Sequence, residues 1–172
     1  MPDAIHNHVR EVFIREYQGN TDNLLAFLHS CPSLTILKWD NKEGEMNPDS
    51  PSNYTQTENL VLQNLTHLEA RFADMQDLLY TVIPYIKTPK LQKLSISNFM
   101  DNNLSVVLSS LLSRSSCVLS SAQLVLPWVD EPHKPAPGLA LLLEQLSNVE
   151  HLVVTCGKLN QHWDNGLNTL LL

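Results

Sequence analysis

Apolar residues recur along this chain in a short step, L-x-x-L-x-L, and between its copies they recur at helical spacing. The step is clearest in Leu34-Leu37-Trp39 and Leu91-Leu94-Ile96. It returns in Leu65-Leu68-Ala70, Leu119-Ala122-Leu124 and Val149-Leu152-Val154, with a fainter copy at Val9-Val12-Ile14. Counted from their first positions, the copies lie 25, 31, 26, 28 and 30 residues apart. Alternation within each step sends every second side chain to one face, as in a short strand with one buried side. The intervening stretches read as helices. Residues 22–30 place Leu24, Leu25 and Leu28 on one face, and residues 74–86 do so with Met75, Leu78, Leu79, Val82 and Ile83. Residues 103–113 carry Leu104, Val107, Leu108, Leu111 and Leu112, and residues 138–146 carry Leu139, Leu142, Leu143 and Leu146. Intervals of three, four and seven predict one buried helical face. The breaks Ser30-Cys31-Pro32, Lys87-Thr88-Pro89 and Ser116-Cys117-Val118 each stand just before a strand step. Proline there stops a helix and extends the chain.

A helix, a turn and a strand repeated at this period, with right-handed crossovers, predict parallel neighbouring strands. A period of 20 to about 30 residues built on this step is the signature of a leucine-rich repeat. The expected fold is therefore an α/β leucine-rich-repeat solenoid of about six repeats, with a curved parallel sheet and helices on the convex side. Six strands would make a sheet roughly 24 Å wide. Residues 1–172 are read as one such domain, interrupted twice. Residues 40–59 are polar and acidic and read as an inserted loop, and residues 127–138 hold four prolines and read as an extended connector. The apolar Leu170-Leu171-Leu172 reads as part of a further helix with no polar cap after it, so the array is expected to be incomplete at one or both ends.

Composition narrows the function. With 43% hydrophobic and 17% charged residues the chain is globular. A net charge of −7, with 11 scattered Lys and Arg, argues against a nucleic-acid partner. No apolar run approaches a membrane span, and the N-terminus lacks the basic-then-apolar order of a secretory signal. Three cysteines, Cys31, Cys117 and Cys156, form an odd set without metal-ligand spacing, which predicts an intracellular, cytoplasmic or nuclear location. The sequons at Asn53, Asn64 and Asn103 are then chance matches.

Two local motifs are more specific than leucine periodicity. Leu111-Leu112-Ser113-Arg114-Ser115-Ser116-Cys117 ends a helix, and Ser30-Cys31-Pro32-Ser33-Leu34-Thr35-Ile36-Leu37 opens a strand. Together with TPKLQKLSISNF and LLEQLSNVEHLVV, they resemble the leucine-rich-repeat region of mushroom-type (basidiomycete) fungal F-box proteins, over roughly residues 20–160. The F-box itself is not present, since nothing before Asn20 resembles that helical segment. The resemblance implies a non-catalytic interaction module, the substrate-recognition part of an F-box subunit of a Skp–cullin ubiquitin ligase. A Skp-type adaptor is implied as a partner only through an upstream F-box. The alternative is a stand-alone leucine-rich-repeat scaffold, sensor or inhibitor.

Strand residues that do not enter the core should line the concave face. The strongest candidates for contact with a protein or peptide are Lys38, His67, Glu69, Gln92, Lys93, Gln123, Glu150 and His151, with Trp128 and Trp163 as loop contacts. The face mixes both signs of charge with hydroxyls, which suits a protein better than a polyanion. His67 with Glu69, and Glu150 with His151, could in principle act as acid–base pairs, yet no nucleophile is fixed near them. The serines of residues 109–121 lack the G-x-S-x-G turn of an activated hydrolase. No catalytic, metal-binding or cofactor-binding residue is expected, and no cofactor. Cys31 and Cys117, without activating neighbours, read as small packing residues.

Overall fold

The computed structural model describes residues 6–15, 17, 21–41, 60–72, 82–97, 102–127, 137–157 and 168–171. Strand β1 (Glu11–Arg15) leads to helix α1 (Thr21–His29), β2 (Ile36–Asn41), the short β3 (Leu60–Val61) and β4 (His67–Phe72). A 3-10 turn (Ile83–Tyr85) and β5 (Ile86–Lys87) precede β6 (Lys93–Ser97), followed by helix α2 (Asn102–Ser115) and β7 (Ser121–Pro127). Helix α3 (Pro137–Gln145), β8 (His151–Gly157) and β9 (Asn168–Leu171) complete the order. Among the described residues, β1, β2, β4, β6, β7 and β8 stand side by side in that order, all parallel, and β9 pairs antiparallel with β8. The fold is α/β with a mostly parallel sheet, as the repeated step predicts. No helix among the described residues is long and apolar enough to cross a membrane.

Register is set where each strand begins. A turn closed by an i+3 to i backbone bond precedes most strands: Val9 to His6, Leu34 to Cys31, Leu65 to Leu62, Leu91 to Thr88 and Val149 to Leu146, at 3.0 to 3.2 Å. The next residue's carbonyl then accepts two consecutive N–H groups from the following unit. Arg10 O receives Thr35 N and Ile36 N, Thr35 O receives Thr66 N and His67 N, Thr66 O receives Gln92 N and Lys93 N, and Gln92 O receives Ser120 N and Ser121 N. Hydroxyls reinforce three of these rungs: Thr35 Oγ1 donates to Arg10 O (2.9 Å), Thr66 Oγ1 to Thr35 O (3.1 Å) and Ser120 Oγ to Gln92 O (3.2 Å).

With the register fixed, the apolar steps stack. Val12, Leu37, Leu68, Leu94, Ala122 and Leu152 lie in line across the sheet, as do Ile14, Trp39, Ala70, Ile96, Leu124 and Val154. Most are buried, in one cluster with the helix residues Leu24, Leu25, Leu28, Leu104, Leu108, Leu111, Leu142 and Leu146. Helix spacing and strand alternation thus deliver their apolar sides to a single core.

The resemblance-bearing R-S-S-C segment has a structural task. Arg114 Nε donates to Ile86 O (3.0 Å), its Nη2 donates to Ile83 O, and its Nη1 donates to Ser110 Oγ (2.9 Å). The end of α2 is thereby tied to the carbonyls of the preceding unit, and partial burial lowers the Arg114 pKa. Beside it, Ser115 Oγ accepts Thr88 N at 3.0 Å and lies 3.3 Å from Thr88 Oγ1, with both residues buried. Ser116 then takes a left-handed φ of 49°, and its N–H closes the helix on Leu112 O.

Several expectations are corrected. The stretch read as a loop from residue 40 begins with strand: β2 runs through Asp40 and Asn41, because Arg15 and Arg71 on the flanking strands continue the same ladder. Pro127 closes β7, and Pro137 opens α3, where its missing N–H would be unpaired in any case. Where a helix was expected over residues 74–86, the described residues Ile83–Lys87 form a 3-10 turn and β5, since Pro84 cannot continue an α-helix ladder. Strand β5 pairs in parallel with β3 in a second, two-stranded sheet. The helix expected at the apolar C-terminal leucines is a strand, drawn to the unsatisfied edge of β8. Met75, Leu78 and Leu79, and the centres of both expected loops, lie outside the described residues.

The neighbours Leu94 and Lys93 separate core from surface, with Leu94 2% exposed and Lys93 exposed. Leu94→Ala should destabilise the fold by about 2–5 kcal/mol in chemical denaturation. Lys93→Ala should stay within about 0.5 kcal/mol, and equal losses would contradict the register. Arg114→Met keeps an apolar stem but drops the fork of donors, and is expected to cost about 2 kcal/mol. Arg114→Lys should recover little of that, because an ammonium cannot reproduce the planar fork. A Met variant as stable as the parent would show that the tie is unimportant.

Candidate functional site

The sheet face opposite the core carries three rungs of side chains. The first is Glu11, Ile36, His67, Lys93, Ser121 and His151. The second is Phe13, Lys38, Glu69, Ser95, Gln123 and Val153. The third is Arg15, Asp40, Arg71, Ser97, Val125 and Thr155. Strand alternation thus brings together Lys38, His67, Glu69, Lys93, Gln123 and His151 of the sequence candidates. Gln92 and Glu150 sit one residue earlier, at the strand entries, with both side chains exposed. Trp128 and Trp163 lie outside the described residues.

The face divides by chemistry. Its β1–β4 side is charged: Lys38 Nζ meets Glu11 Oε1 at 2.7 Å, and Arg71 Nη2 meets Glu69 Oε1 at 3.4 Å. Its β7 and β8 side presents Ser121, Gln123, Val125, His151 and Val153 without a Lys, Arg, Asp or Glu on the three rungs. The hydrogen bond and charge of Glu11, with a smaller contribution from Glu69, hold Lys38 above its ordinary value. Such exposed pairs add little to stability and mainly fix where the charges stand. Phe13 is 51% exposed, with the Arg15 guanidinium carbon 4.7 Å from its ring centre.

His67 is held most closely. Thr66 Oγ1 lies 2.8 Å from His67 Nδ1 and donates its one proton to Thr35 O. It therefore accepts from Nδ1–H, which leaves Nε2 as an open acceptor on the neutral ring. Desolvation first, then the charges of Lys93 and Lys38, lower the His67 pKa below the ordinary imidazole value. Among the described residues no nucleophile is held against His67 or Glu69, and Glu69 is engaged by Arg71.

The third rung was not among the sequence candidates. Its signal was the same alternation carried two residues further, obscured at Asp40 by the acidic run that follows. Asp40 is buried, and its Oδ1 has no partner among the described residues. The hydroxyls of Thr35, Thr66 and Ser120, by contrast, are already committed to the backbone rungs. Asn64, one of the sequon residues, joins successive turns by donating to Pro32 O at 3.0 Å and accepting from Lys90 Nζ at 3.3 Å. Cys31 is buried, and burial pushes the Cys117 thiol above its ordinary value. His6 packs edge-on against Phe27, 5.8 Å between ring centres. Among the described residues, no three His, Cys, Asp or Glu side chains converge as ligands for a metal ion.

No family model matches the chain, and comparisons with curated proteins and with solved structures returned no match.

The His67 environment is testable by titration. In the folded chain its pKa lies below the unfolded value, so the native state binds fewer protons. Its contribution to stability is then lost as pH falls from the unfolded imidazole value through the lower folded one. Lys93→Gln should raise the His67 pKa in an NMR titration, and Lys38→Gln should raise it less. An unmoved His67 in both variants would show that these residues do not share one face.

Proposed function

We propose that this chain is a non-catalytic protein-interaction module, a leucine-rich-repeat solenoid whose face opposite the core holds a protein or peptide partner. The observation that carries the proposal is the repetition of one backbone device, the turn and the shared carbonyl, at strand after strand. It supports a solenoid reading because each unit contacts the next in the same way. The result is a broad, ordered sheet face of charges, amides and hydroxyls, with aromatic Phe13 at one end. Such a surface suits contact over an area better than chemistry at a point, and His67 and Glu69 are engaged by neighbours rather than poised on a nucleophile.

The fungal F-box resemblance supplies the role within this proposal: the chain selects substrates for a Skp–cullin ubiquitin ligase, in the cytoplasm or nucleus, and an F-box elsewhere in the gene product meets the adaptor. Arg114 and the residues around it would then be scaffold, and the strand-face residues would be the variable reader.

Photo-crosslinking residues placed at Ser95 and Gln123 on this face, and at Ser113 on α2, test the proposal in the source cells. Adducts with one protein from the first two positions, reduced several-fold by the pair Lys38→Glu and Lys93→Glu, are expected. Adducts concentrated at Ser113 would refute the face assignment. Failure of the full gene product to co-purify with a Skp adaptor would remove the ligase role while leaving the binding face intact.

A further inference from the structure

Among the described residues β1 stands at one edge of the sheet, and none of them pairs with its outer side. We propose that this edge binds the same edge of a second copy of this chain, forming a two-fold antiparallel β1–β1 pair. The sequence Glu11-Val12-Phe13-Ile14-Arg15 is complementary to itself about Phe13. Antiparallel pairing centred there sets Glu11 against Arg15 of the other copy at both ends, and Phe13 against Phe13. On the opposite side of the ribbon, Val12 meets Ile14. A parallel pairing in register would instead oppose Glu11 to Glu11 and Arg15 to Arg15, which is unfavourable for charges directly across a ladder.

The backbone agrees with this register. Arg10 O accepts Ile36 N, so its carbonyl points inward to β2. In a strand the polar groups of successive residues alternate in direction, which turns the N–H and C=O of Val12 and Ile14 inward as well. Those of Glu11, Phe13 and Arg15 therefore point to the free edge. These are the residues that face each other in the symmetric pair, and each opposed couple exchanges two backbone bonds. Side chains and backbone thus select the same register. The interface is isologous and closes at two copies.

Unmatched edges are commonly guarded by charge, and charge alone would give Glu11 and Arg15 that role. Their opposite signs, placed symmetrically about an exposed aromatic, distinguish this edge from a simple guard. Contacts among the described residues do not obstruct it. Lys38 approaches Glu11 from the β2 side, and Arg15 lies over the face of Phe13 rather than across the edge.

Analytical ultracentrifugation of the full chain over a concentration series tests the pair. A twofold mass at high concentration is expected. Glu11→Arg and Arg15→Glu should each sediment as monomers, because both ends of the pair then carry like charges. Mixing those two variants should restore a twofold species, and so should the double swap within one chain. Phe13→Pro should remain folded by circular dichroism, because its N–H is not used within the sheet, yet lose the dimer. A monomeric parent at every concentration would overturn the proposal. So would single reversals that still dimerise, folded single variants that fail to associate when mixed, or a mass beyond twofold.

Discussion

A single carbonyl at four successive strand entries, shared by two successive N–H groups of the next unit, is the constraint on which the sheet depends. It recurs at Arg10, Thr35, Thr66 and Gln92. Strand side chains alternate with period two, so a slip of one residue would exchange core and surface along a whole strand. The doubled acceptance at the entry, backed by Thr and Ser hydroxyls, opposes that slip before the strand has begun. Leucine stacking follows from it: Leu37, Leu68 and Leu94 align because the carbonyls two residues earlier are already spoken for.

Irregular spacing needs a second device. Units here differ by several residues in length, so helices cannot be placed by repetition alone. Arg114 and Ser115 meet that need where α2 returns to the sheet, by reaching back to the carbonyls of Ile83 and Ile86 and to the N–H of Thr88. An arginine fork and a buried hydroxyl specify geometry that apolar contact leaves loose. The R-S-S-C segment therefore draws its motif-like character from holding adjacent units together, and it need not face any ligand.

The strands were legible from sequence because two signals coincide in them, leucine period and alternation, and the eight strand-face candidates named by that alternation fall on the observed rungs or strand entries. Helix positions were legible wherever no proline intervened, as at α1 and α2. Leu60–Val61 and Ile86–Lys87 were not legible as strands: each is two residues long, too short for a period, and β5 follows apolar residues that also satisfy a helix. Asp40 was assigned to a loop because its acidic successors dominate the composition, while its place between Arg15 and Arg71 exists only in three dimensions. The terminal leucines carried no alternation to separate strand from helix, and the antiparallel edge of β8 decided the matter. Thr35, Thr66 and Ser120 were legible as exposed positions but not as backbone partners, since nothing in a linear pattern shows which carbonyl lies alongside.

Position along the sheet gives the two halves of the open face different prospects. The charged half borders β1, where Glu11 serves both Lys38 beside it and, in the paired form, Arg15 across the edge. The uncharged half, around Gln123, Val125 and Val153, lies four to five strands away, about 19–24 Å at ordinary strand spacing. Pairing two copies at β1 brings both charged halves together at the centre and leaves the uncharged halves at the outer ends. A partner reading the charged half would then meet a symmetric surface of twice the width, and its affinity would be linked to the dimer equilibrium. A partner reading the uncharged half would not. The link is reciprocal, since whatever favours the paired state for one event favours it for the other. Self-association at this edge would therefore act on recognition selectively, according to which half of the face the partner uses.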